Sequence, residues 1–155
     1  MSLISRKSLD PTKNILRLVK NIPQFVPNGR PPVNGEAFQP SSEDIQDAET
    51  THEPVRVSVW DLEFTTLCQA RGFRGAGEFW PMRLRVSDVH EVKSMFGLTR
   101  MDVVSDPLDD SRAGALGHCG IEGLDRLPGE SRISHKAAKD ELACRATPME
   151  EAARP

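Results

Sequence analysis

The chain has no tyrosine, only six phenylalanines and two tryptophans, and a hydrophobic share of 37 per cent. That share is low beside the roughly 45–50 per cent of typical globular domains, a norm that also counts glycine. Twelve prolines concentrate outside the apolar segments. Together these features point to a modest folded unit with loosely organised flanks. No run approaches the roughly 18 apolar residues of a membrane span, and the N-terminus lacks the apolar stretch of a signal peptide. Cysteine is scarce and odd in number, with Cys68, Cys119 and Cys144 in no pairing pattern. Reduced thiols in the cytoplasm are therefore expected. No Cys-x-x-Cys or His-x-x-x-His spacing links these cysteines to the four histidines, so no metal site is expected. A net charge of −3 is too mild to make nucleic acid or a membrane the main partner.

What charge there is falls unevenly. Residues 1–30 hold six basic residues and one acid, whereas residues 36–53 hold six acids and no lysine or arginine. Asp10-Pro11 reads as a helix start, and Ile15, Leu16, Leu18, Val19 and Ile22 then form an apolar stripe beside Lys13, Arg17 and Lys20. The spacing predicts a basic amphipathic helix over 11–22, ended by Pro23 and in need of a surface to lie on. That surface would be the chain's own domain, a partner protein or, through weak contact, an anionic membrane. Residues 23–53 carry prolines, Gly29, Gly35 and acids without apolar periodicity, which predicts an extended linker, disordered or ordered only by a partner.

Beyond Pro54 the pattern changes. Val55, Val57 and Val59 alternate with Arg56, Ser58 and Trp60, which is strand periodicity. Thr66-x-x-Gln69 is a helix-capping box. Trp80, Met82, Leu84 and Val86 mark a second strand whose other face carries Arg83 and Arg85. A helix closed by Gly97 and a short strand from Met101 follow, and a last helix begins near Ser131. The expected fold is α+β: a small three- to four-stranded sheet with short helices, preceded by the N-terminal helix and the long linker. The expected division is an arm (1–22), a linker (23–53), an α+β domain (54–147) and a frayed tail (148–155).

Four glycines recur at every third position, Gly114, Gly117, Gly120 and Gly123, around the pair His118-Cys119. Such a run is either a set of tight turns or a surface where something docks closely against the main chain. The lysine and Ser/Thr of a phosphate loop are missing, and no helix follows, so no phosphate cofactor is expected. Cys119 is the candidate nucleophile, with His90 or His135 as base and His118 alongside. The competing reading is a small buried thiol among glycines. Asp106, Asp109 and Asp110 crowd the loop beside the run, where with His118 they would line a cleft, or serve as ordinary turn residues. Arg83 and Arg85 could receive an anionic partner, although the face lacks the aromatic residues of a single-strand nucleic-acid binder. Trp60 is either an exposed contact residue or core.

The leading functional reading is a non-enzymatic protein-binding or adaptor subunit of a cytosolic complex that docks on another protein through residues 1–53. The alternative is a small enzyme with Cys119 as nucleophile.

Overall fold

Alternation along residues 56–61 sends Val57 and Val59 to one side and Trp60 to the other, and that segment is a strand. The computed structural model describes residues 7–75 and 77–149. Among them, β1 (Asn14–Lys20), β2 (Arg56–Asp61), β3 (Phe79–Arg85), β4 (Asp102–Ser105), β5 (His118–Glu122) and β6 (Thr147–Pro148) form one antiparallel sheet. Its spatial order is β4-β5-β2-β1-β3-β6. Four α-helices accompany it: α1 (Ser42–Thr51), α2 (Leu67–Arg74), α3 (Val86–Phe96) and α4 (Arg132–Arg145).

One side of the sheet carries the main core. Ile15, Val19, Val57, Val59, Met82, Leu84, Val103 and Ile121 pack there against Val89 and Val92 of α3 and Ala138 and Leu142 of α4. Each such large apolar side chain contributes about 1.5–3 kcal/mol on burial. The other side carries a smaller cluster of Leu16, Leu18 and Trp60 under Ala70 of α2. The eight-residue α2 spans only part of that side, and the uncovered remainder is where polar groups gather.

The class is α+β, but the expected N-terminal half is overturned. Residues 14–20 are strand β1, central in the sheet between β2 and β3. A helix would bury one stripe of this segment. A strand covered on both faces buries Ile15 and Val19 on one side and Leu16 and Leu18 on the other. Asp10 does not start a helix; its carboxylate accepts from the backbone N–H of Thr12 at 2.8 Å and from the Thr12 hydroxyl at 2.6 Å, closing a turn. With that helix goes the amphipathic surface on which membrane contact by 11–22 rested.

The expected extended linker is folded as well. Val26, Val33, Ala37 and Phe38 are buried in the main core. A 3₁₀ turn spans Gly35–Phe38, and Ser41 with Asp44 forms the capping box that starts α1. Its prolines and acids conceal these few apolar anchors, which sit without helix or strand periodicity. The sheet accordingly has six strands rather than three or four. The glycine run, expected as tight turns or a docking surface, is a turn only at its start. It forms a 3₁₀ turn at Ala115–Gly117 and then enters β5. At the C-terminal end, Thr147 and Pro148 pair with Arg83 and Met82, and 150–155 lie outside the described residues. No helix among the described residues is long and apolar enough to cross a membrane.

Candidate functional site

Strands β1 and β2 pair at Ile15–Asp61 and Leu16–Trp60 and then part. Beyond that point β1 continues along β3 to Lys20, while β2 stays with β5 back to Arg56. Arg17 sits at the fork. Its Nη1 donates to the carbonyl of Ser58 at 2.9 Å, and its Nε and Nη2 donate to the carbonyl of Ala37 at 3.1 and 3.0 Å. The guanidinium thus bridges β2 and the 3₁₀ turn. Gly35 lets that turn lie against α4, since a side chain there would strike Asp140.

A groove of about 760 Å³ opens over the fork. Arg17, Ser58, Arg56 and His118 lie on its sheet side, and Asp106 and α1 border it. The helix α1 buries none of its residues, and its Glu43, Asp44 and Asp47 line the groove together with Arg17 and Arg74. The lining therefore carries both signs of charge. Arg56 is matched within the fold, by Glu53 at 2.8 Å and Glu122 at 2.9 Å. Arg17 is largely buried and has no ion-pair partner among the described residues. Burial pulls its guanidinium down to about 10, with Asp44 supporting the charge and Arg74 opposing it. It stays cationic at neutral pH.

His118 occupies the start of β5, on the same side of the sheet as Trp60 and Ser58. Its Nε2 is 2.6 Å from the Ser58 hydroxyl oxygen and its Nδ1 is 2.8 Å from the Asp106 carbonyl. A carbonyl only accepts, so Nδ1 carries the hydrogen. Nε2 is then the lone pair that receives the Ser58 O–H. An Asp106 carboxylate oxygen stands 3.8 Å from Nδ1. Trp60 meets the imidazole edge-on at 4.8 Å and stacks on Phe73 of α2 at 5.0 Å. Burial lowers the His118 pKa, against the opposing pull of the Asp106 carbonyl and carboxylate. The ring is therefore neutral at neutral pH.

The structure gathers only some of the residues singled out from sequence. His118 and Asp106 share the groove, and Trp60 backs it as a buried residue. Cys119 points to the other side of the sheet, inside the main core. Its thiol donates to the Gly117 carbonyl at 3.3 Å. Burial, with the charge of Asp61 adding to it, pushes the thiol up to about 12, so it holds its proton at neutral pH. The histidines named as its base lie beside other groups: His90 is 3.4 Å from Asp102, and His135 is 3.3 Å from Glu130, with neither of its buried ring nitrogens hydrogen-bonded among the described residues.

The glycines serve close approach within the fold. A side chain at Gly117 would run into the Thr65 hydroxyl, and one at Gly120 would meet Arg56. Gly114 adopts φ +90°, and Gly123, at φ +84°, lies against the backbone of Arg100 and Met101. Asp110 pairs with Arg112 at 2.7 Å, Asp109 is exposed, and neither lines the groove. Arg83 and Arg85 are exposed and line a separate hollow of about 460 Å³ with Pro11, Thr12, Asn14 and Ser87. Among the described residues no group of three His, Cys, Asp or Glu is placed to hold a metal ion.

No protein-family model matches the chain, and neither curated proteins nor solved structures show a similar one. Function must be read from the groove itself. Two of its residues escaped the sequence reading. Arg17 could have been noticed as the single charge inside Ile-Leu-Arg-Leu-Val. Ser58 carried no signal beyond being the small polar member of an alternating strand.

Proposed function

We propose that this chain is a cytosolic binding protein whose groove takes a short segment of another protein carrying both signs of charge. Arg17 carries the reading. Holding a guanidinium out of water without an ion-pair contact is costly, and two carbonyls and the charge of Asp44 offset that only in part. A carboxylate entering the groove would meet a pre-positioned donor of the kind Arg offers best. In the same lining, Glu43 and Asp47 on the exposed helix α1 would take a lysine or arginine of the same segment.

Two further features support the reading. The volume of about 760 Å³ falls within the range of small-ligand sites, roughly 300–1,000 Å³. Arg17, Glu43 and Asp47 all belong to residues 1–53, so contact with a partner would still be made by that part of the chain, as a wall of the fold and not as a detachable arm. The exposed free thiols of Cys68 and Cys144 suit a reducing compartment.

Panning a phage-displayed random peptide library on the full chain tests this. Enriched sequences should combine an acidic with a basic residue. Arg17→Met and the double variant Glu43→Gln/Asp47→Asn should each weaken a fluorescein-labelled enriched peptide by at least about tenfold. The α1 variant alters only exposed side chains, so its loss would not reflect unfolding. Enriched peptides without charge pattern, or equal binding by both variants, would overturn the proposal.

A further inference from the structure

We propose that Ser58 and His118 are a nucleophile and its general base, and that they hydrolyse a carboxylic ester or amide lying in the groove. The inference rests on the binding reading only for the identity of the substrate; the chemistry belongs to the pair itself.

The Ser58 oxygen to His118 Nε2 distance of 2.6 Å is a nucleophile–base contact. The Asp106 carbonyl fixes the tautomer that leaves Nε2 basic. The Asp106 carboxylate, 3.8 Å from Nδ1, is placed to stabilise an imidazolium. Trp60 holds the ring from its edge. Arg17 donates to the carbonyl of Ser58 itself at 2.9 Å. Its three described bonds leave two of a guanidinium's five N–H groups, which in the proposed reaction would donate to the carbonyl oxygen as it gains charge.

A hydrogen bond that merely stitched two strands would be redundant here, because β2 and β5 are paired from Arg56 to Trp60. Both side chains also border the groove. The charged groups acting on His118 are Asp106 from the loop, Arg56 from β2 and Asp44 from α1. Burial outweighs them and keeps the ring neutral at neutral pH.

In the reaction, the Ser58 oxygen bonds to the carbonyl carbon while its proton passes to Nε2. The carbonyl π pair moves onto oxygen. Collapse breaks the bond to the leaving alcohol or amine, which takes the proton from Nε2 and leaves acyl-Ser58. Water then adds to the acyl carbon, giving a proton to Nε2. Ser58 departs with that proton, and the net change is ester or amide plus water to acid plus alcohol or amine.

Diisopropyl fluorophosphate, which is uncharged, probes the pair without the charged ends of a peptide. Its phosphorus bonds to the serine oxygen and fluoride leaves with the serine proton. The intact chain should gain a single adduct, mapped by peptide mass to Ser58 and absent from Ser58→Ala. His118→Asn should slow labelling by about 100-fold. The rate in the native chain should already have reached its plateau by neutral pH, because His118 is neutral there. Absence of a Ser58 adduct, adducts scattered over surface residues, or labelling unchanged in a folded His118→Asn would each overturn the proposal. Peptide binding without an adduct would leave the binding reading standing and remove this one; an adduct without peptide binding would do the reverse.

Discussion

Gly120 of β5 lies beneath the side chain of Arg56 of β2, and a Cβ at position 120 would come within 2.6 Å of the Arg56 Cβ. Neither carbon can retreat without moving a strand. Gly120→Ala should therefore cost about 1–3 kcal/mol, as overpacked sites do, and loosen Arg56 from Glu53 and Glu122. Gly72 in α2 is the matched control, since a methyl added there would meet nothing within 4 Å. Gly72→Ala should raise stability by up to about 1 kcal/mol through a less flexible unfolded chain. Thermal or urea unfolding of the two variants should shift in opposite directions.

The cysteines should react unequally. Cys68 and Cys144 are exposed and Cys119 is buried with its thiol held protonated. Iodoacetamide near neutral pH should add two groups to the native chain, at Cys68 and Cys144, and reach Cys119 only after denaturation in urea. Intact mass and peptide mapping read this directly. Preferential labelling of Cys119 in the native chain would contradict its place in the core and revive it as a nucleophile.

Glu130 should govern part of the acid limb of stability. Its carboxylate accepts from Arg100 Nε at 3.0 Å and Nη2 at 2.5 Å, and from the Leu127 N–H at 2.8 Å. The Arg100 bonds first, and the backbone bond second, lower its pKa to about 2. A carboxyl depressed in the fold binds its proton more readily when unfolded. Its contribution is complete above the ordinary value of 4.5 and is lost as pH falls through about 2. Glu130→Gln should be less stable than the parent at pH 6, and the gap in melting temperature should close as the pH is taken down to about 2. A gap independent of pH would place the effect in shape and not in charge.

The sequence was most legible where the signal is local to one element. The valine alternation of β2, the Thr66–Gln69 box of α2 and Gly97 after α3 are local signals that the fold keeps. It was least legible in β1, whose four apolar residues are divided between two cores, because burial on both faces erases the period that separates strand from helix. The glycine run misled for a related reason. Its three-residue spacing looks like one device, yet each glycine answers a different neighbour, among them Thr65 and Arg56. At the groove, Asp106 and His118 were in view. Arg17 and Ser58 were not, since their significance depends on where β1 and β2 part, and that fork is a property of long-range pairing.

The position of β1 also bears on how the chain is made. When β1 and β2 have left the ribosome they have only a two-rung pairing to share. The long partner of β1 is β3, and Ser58 must wait for His118, 60 positions later. Until then the nascent chain carries two apolar strands with open edges, the condition in which slow assembly and mispairing compete. An early strand at the centre of the sheet makes synthesis of the second half of the chain the timing step for the first.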